Sequence, residues 1–102
     1  MDPRKELMEA AQNYAEALQE RAKENKRKFL ELKKIAGEKS KELQDQLRKN
    51  DGRNAAEKLA EIKKLWSDAK LFESKAKEEL TEALRLFEEA LELKKALKLE
   101  EQ

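Results

Sequence analysis

The 102-residue chain has no cysteine and no histidine, one proline, two glycines, and only one tryptophan, one tyrosine and three phenylalanines. Without cysteine there is no disulfide framework and no thiolate, so no redox chemistry is implied. Without histidine the commonest general base is missing, and so is the usual ligand of zinc and haem. The two glycines lie 15 residues apart, which rules out a glycine-rich phosphate loop. No apolar run approaches the ~20 residues of a membrane span, and the N-terminal MDPRKELME lacks the pattern of a signal peptide. Neither charge sign dominates: 24 basic and 23 acidic side chains nearly cancel, which gives no argument for nucleic acid or an anionic membrane.

What is present is charge and helix formers. Charged residues make up 46% of the chain, with Ala, Glu, Lys and Leu the main types, the composition of long helices and coiled coils. Strong helical periodicity of the apolar residues argues against disorder. Asp2-Pro3 reads as an N-cap followed by proline at the first helical position, with Glu6 and Glu9 close behind. Apolar or small residues then fall at 7, 11, 14, 18, 22, 25, 29, 32, 36, 40, 43 and 47. That is eleven steps over 40 residues, a mean of 3.64. Such a period fits a straight helix or an eleven-residue repeat better than the 3.5 of a left-handed coiled coil.

Turn residues cluster only in NDGRN at 50–54. Gly52 suits a left-handed position past a helix end, and Asn54 with Glu57 reads as a capping box. A second stripe follows at 55, 59, 62, 65/66, 69, 72, 76, 80, 83, 87 and 91. The expectation is an all-α single domain over residues 1–102: helix about 3–49, loop about 50–53, helix about 55–100. Each helix would be about 70 Å long at 1.5 Å per residue. The two would form an antiparallel hairpin.

Gly37 interrupts the first helical pattern at a cost of roughly 1 kcal/mol against alanine. In a hairpin folded at 50–53, facing residues have numbers summing to about 103, which sets Gly37 across from Trp66. Room for an indole is then the reason for the glycine, with Ala36 and Ser40 beside it. The same large-to-small alternation sets Phe29 near Ser74 and Ala76, Phe87 near Ala15 and Ala17, and Tyr14 near Ala90. The alternative is a helix ending at Gly37 and a short one starting at Ser40. Against it, GEKS has no proline, and Leu43 stands where a capping box needs Glu.

The apolar faces widen to roughly 180° toward both chain ends, beyond what one helix covers for another. Leu86, Ala90, Leu93 and Leu97 add a flank on the second helix, and Leu7, Met8 and Tyr14 lie on the broad face of the first. Leu7, Met8, Tyr14, Leu86, Leu93 and Leu97 are therefore the candidate protein-interaction surface. A second copy is the first candidate partner: twofold dimers are the commonest oligomers, and two hairpins make a four-helix bundle. A helical peptide or protein target is the alternative occupant. Residues 1–20 carry a net −3 and residues 21–41 a net +6, read as solvated mixed-charge faces.

Several chemistries are set aside. Glu31, Glu38 and Glu42 share no core position, and helical di-metal sites also need histidine. The stretch KENKRK at 23–28 lacks interleaved aromatics, so nucleic acid is not expected. Asn25 falls on the apolar stripe as a partly exposed or register-setting polar residue. No cofactor and no catalytic residue is indicated.

The opening DPRKEL, the loop and cap NDGRNAAEK, and the blocks EEALEL and KKALKLEE resemble computationally designed helical bundles. The resemblance covers the whole chain and follows rules of capping and propensity. It implies a structural purpose: a scaffold, an assembly subunit or a binder. Gly37, Ser40, Asn25, Leu30 and Leu71 depart from the idealised style.

Overall fold

The computed structural model describes residues 2–101, and the side chains of 2–100. Two long helices, α1 (Pro3–Arg48) and α2 (Ala55–Glu101), pack against one another as an all-α hairpin. The expected boundaries hold to within a residue or two, and α1 runs unbroken through Gly37. The chain divides into two compact units, Met1–Glu24 with Lys75–Gln102 (the terminal unit) and Asn25–Ser74 (the loop unit).

Asp2 caps α1 as its sequence implies. Its carboxylate accepts the Arg4 N–H at 2.9 Å and its carbonyl accepts the Lys5 N–H at 3.1 Å, ahead of Pro3 at the first helical position. The loop is built differently from the expectation. Asn50, not Gly52, takes the left-handed conformation, with φ 58. The Asn50 N–H donates to the Leu47 carbonyl and the Asp51 N–H to the Gln46 carbonyl, both at 3.0 Å, a Schellman end. Asn54 is left-handed as well, with φ 57. An N-cap residue needs an extended φ, so the capping box with Glu57 does not form. Instead the Asn54 carbonyl accepts the Lys58 N–H at 2.9 Å, and Gln46 ties the loop by donating to the Arg53 carbonyl at 2.7 Å.

Among the buried and half-buried positions of α1 runs a regular series, 4, 8, 11, 15, 18, 22, 25, 29, 32, 36, 39, 43 and 46, twelve steps over 42 residues, with 12, 28, 37 and 40 half-buried beside it. The corresponding series in α2 is 62, 65, 69, 72, 76, 79, 83, 86, 90, 93 and 97, ten steps over 35 residues, with 55, 68, 73, 82, 87 and 96 half-buried beside it. Both give 3.5 residues per step, the spacing of a coiled-coil seam, which corrects the 3.64 expected above. The seam can be lettered as heptads, with a at Met8 and d at Ala11 in α1, and a at Ile62 and d at Leu65 in α2. Alanines hold its tightest positions: Ala15, Ala36, Ala69, Ala83 and Ala90 are all at 2% exposure or less. In the terminal unit Ala15, Leu18, Ala83 and Leu86 form the core, with Ala11 and Phe87 packed on it. In the loop unit the buried side chains are Ala36, Leu43, Ile62 and Ala69.

The proposed packing of Trp66 on Gly37 is not what forms. Gly37 stands one residue past the seam alanine Ala36, a Cβ built on it meets nothing within 4 Å, and Trp66 is 36% exposed. Nothing within the chain explains this glycine. Gly37→Ala is therefore expected to stabilise the fold by roughly 0.5–1 kcal/mol, read as a raised denaturation midpoint at constant slope.

The register has its own test. Leu86 is 8% exposed and Leu84, two residues away, is 58% exposed. In the dilute, single-chain limit Leu86→Ala should cost about 2–5 kcal/mol and Leu84→Ala less than about 0.5 kcal/mol. Equal losses in urea unfolding would contradict the 3.5-residue seam.

Candidate protein-interaction surface

Of the six residues that the sequence nominated, only Leu7 (60%) and Tyr14 (51%) are exposed. Met8, Leu93 and Leu97 are half-buried on the seam, and Leu86 is buried there. The correction has one cause: a 3.5-residue seam turns positions 8, 86, 93 and 97 inward. It leaves Leu80, Leu84 and Leu91 outside, each 46–58% exposed.

These leucines form a stripe with Phe87 at 80, 84, 87 and 91. Steps of four, three and four put all four side chains on one face of α2. They occupy the e and b columns of the heptad. Leu59 and Trp66 of the loop unit stand in the same e column of α2, and Leu30 and Leu47 stand in the b and e columns of α1. The g and c columns carry a second apolar set: Leu7, Tyr14 and Leu99 in the terminal unit, Ile35 and Leu71 in the loop unit, all exposed.

Contacts across the seam show which columns share a side. In the terminal unit a shallow depression is lined by Lys5 (e of α1) together with Lys94 (e) and Lys98 (b) of α2. In the loop unit Lys39 Nζ, on seam column d, meets Glu61 (g) at 2.9 Å, and Lys28 (g) lies 5.3 Å over the ring of Phe72 (d), so the g column of each helix lies against the seam of the other. Each unit thus has an e/b flank and, across the seam, a g/c flank. Apolar side chains lie on both.

Charge is partitioned between the flanks. On the e/b flank of the loop unit stand Lys26, Lys33, Lys63 and Lys70, with Glu73 the one carboxylate. Its g/c flank has Glu31, Glu38, Glu42 and Asp45 on α1. From α2 come Glu57, Glu61 and Asp68, against Lys28 and Lys64, with the seam residue Lys39 paired to Glu61. The terminal unit shows the same sign more weakly. Lys5, Lys23, Lys77, Lys94 and Lys98 outnumber Glu9 and Glu16 on the e/b flank. On the g/c flank Glu24, Glu78, Glu82, Glu89 and Glu92 outnumber Arg21, Lys75 and Arg85.

No catalytic constellation emerges among the described residues. No polar or charged side chain is buried, and no group of three or more His, Cys, Asp or Glu is arranged for a metal. Glu31, Glu38 and Glu42 are all exposed. In the KENKRK stretch, Lys23 pairs with Glu20 at 3.1 Å and Arg27 with Glu31 at 2.6 Å. Asn25 is half-buried on the seam. An open hollow of about 570 Å³ runs along Arg85, Glu88, Glu89, Glu92 and Leu93. Among the described residues no helix is long and apolar enough to cross a membrane.

The class that the fold and surface define is an all-α helical hairpin with an alanine-rich seam, each of its two units carrying two apolar flanks of opposite charge. Comparison with known protein families, curated proteins and solved structures finds no match to this chain.

The perturbed ionisations belong to surface ion pairs. Arg4 bridges Asp2 and Glu100, and its hydrogen bonds to Glu100 and Asp2 raise its own pKa. Asp2 is held low by the side-chain and backbone bonds from Arg4, and Glu100 by the Arg4 side chain. Arg53 lowers Asp51, and Arg85 lowers Glu82. Each carboxylate has a folded pKa below its unfolded one, so its contribution is present above the ordinary value and is lost as pH falls through the folded value. Lys39, raised chiefly by its hydrogen bond to Glu61, behaves in the opposite sense. Its contribution is present below the ordinary lysine value and is lost as pH rises through the folded one. Unfolding midpoints should accordingly drop as pH falls below 4.5, where Glu82 and Glu100 begin to lose their contribution, and further below 3.8, where Asp2 and Asp51 follow. The drop should be smaller in 1 M salt, which screens exposed pairs.

Proposed function

We propose that the chain is a designed, non-catalytic helical scaffold that associates with copies of itself through the apolar flanks of its hairpin. The observation that supports this most is the mismatch between what is buried and what is exposed. The tightest positions are alanines, whereas Leu80, Leu84 and Leu91, with Leu7 and Tyr14, stay about half in water or more. A leucine fully buried contributes about 1.5–3 kcal/mol, far more than an alanine methyl. Contiguous apolar patches on a small protein mark interaction sites, and a small helical scaffold gains stability by oligomerising. The designed origin is supported by the DPRKEL opening, whose Asp2 cap and Pro3 sit where capping rules put them.

A second reading, capture of a helical peptide from another protein, is favoured by one feature. The 80, 84, 87, 91 stripe has the i, i+4, i+7 spacing of helix-in-groove recognition. Light scattering over a dilution series separates the two. Self-association predicts a mass above the 11.9 kDa of one chain at micromolar concentration, falling on dilution. A constant single-chain mass with the leucines still accessible would leave only the peptide-capturing reading.

A further inference from the structure

Resting on the self-association reading, we infer that copies of this chain pack face to back, the basic e/b flank of one against the acidic g/c flank of the next. Self-association alone leaves the geometry open between two classes. In a twofold dimer the same flank meets itself; in a heterologous contact two different flanks meet.

The distribution of charge decides between them. A twofold contact through the e/b flanks would bring lysines to lysines in either orientation, because that flank is basic in both units. A twofold contact through the g/c flanks would bring carboxylates to carboxylates. Like-charge juxtaposition of this kind suppresses association, whereas opposite potentials steer it. Only the heterologous contact sets Lys26, Lys33, Lys63 and Lys70 opposite a surface rich in Glu and Asp.

The apolar residues fit the same pairing. Each flank of each unit has exposed large side chains, so neither flank is a solvated back. Trp66 shows the local arrangement. Lys63 and Lys70, at i−3 and i+4, flank an indole that is 36% exposed, an aromatic anchor rimmed by positive charge. On the other flank Leu71 has Asp68 at i−3 and sits among the carboxylates of the loop unit. Because each copy then offers one donor and one acceptor flank, association continues past two chains until the rotation between neighbours closes a ring or an open array extends.

A mixing experiment tests this. In the first variant Trp66→Glu and Leu84→Glu block the basic flank. In the second, Tyr14→Lys and Leu71→Lys block the acidic flank. All four positions are exposed in the hairpin, so circular dichroism should show retained helix. Should either variant lose helix, Leu80→Glu and Leu7→Lys, also at exposed positions, replace the pairs. The wild-type chain is expected to give species larger than two chains by sedimentation velocity, shrinking as salt rises. Each variant alone is expected to sediment as one chain, and an equimolar mixture as two chains, since each supplies the flank that the other lacks. A variant that still self-associates alone means a twofold contact through its unblocked flank. That overturns the face-to-back inference and leaves self-association standing. Wild-type protein that stays a single chain overturns both.

Discussion

Everything in this hairpin depends on small side chains recurring every seven residues along the seam. With Ala15, Ala22 and Ala36 on α1 and Ala69, Ala83 and Ala90 on α2, little bulk separates the two helices. The interaxial distance of packed helices follows the side chains at their contact. Of the larger seam residues, Leu18 and Leu86 pack in one cluster with Ala15 and Ala83. An alanine seam hides little apolar area per residue. The leucines that would otherwise form a core are displaced to the flanks.

That displacement explains what could be read from the sequence and what could not. The two helices, their ends and the position of the loop were legible, because helix formers, Asp2-Pro3 and NDGRN are strong local signals. Continuity through Gly37 was legible too, since a lone glycine without a proline or a cap does not end a helix. The period was misread at its ends for a physical reason. Leu7, Tyr14, Leu47, Leu59, Leu80 and Leu91 are large and draw the pattern toward themselves, while the true seam there is marked by Ala15, Gln46, Glu79 and Ala90. Hydrophobicity identifies a seam only when the seam is the most hydrophobic column. Here it is not, and four of the six nominated surface residues consequently proved to be inside. Leu84 had a signal available: it lies outside any 3.5-residue register drawn through the alanines.

The loop illustrates a related point. Gly52 and the Asn54–Glu57 pair carry the stronger sequence preferences for a left-handed residue and a capping box. The chain instead places Asn50 and Asn54 in the left-handed region. Asparagine tolerates that conformation, and Asn50 is positioned so that two carbonyls at the end of α1 find donors. The Asp51 side chain then accepts the Arg53 N–H at 3.2 Å, a local turn that asparagine and aspartate stabilise. Satisfying the orphan carbonyls of a 46-residue helix took precedence over using the residue with the lowest intrinsic cost.

The energetic consequence of an alanine seam reaches beyond a single copy. A leucine already half out of water gains only about 1 kcal/mol from being covered. The four apolar side chains on the e/b flank of one unit therefore offer less than the ~4–15 kcal/mol that association costs in lost freedom. In the proposed self-association, a docked neighbour would have to bring the leucines of its own opposing flank to the contact before it holds. Such an extended contact brings many charges together at once, which turns weak individual pairs into a strong selector of orientation. In the proposed self-association, hydrophobic area would set whether copies stay together, and the partition of lysine and glutamate between the flanks would set which face meets which.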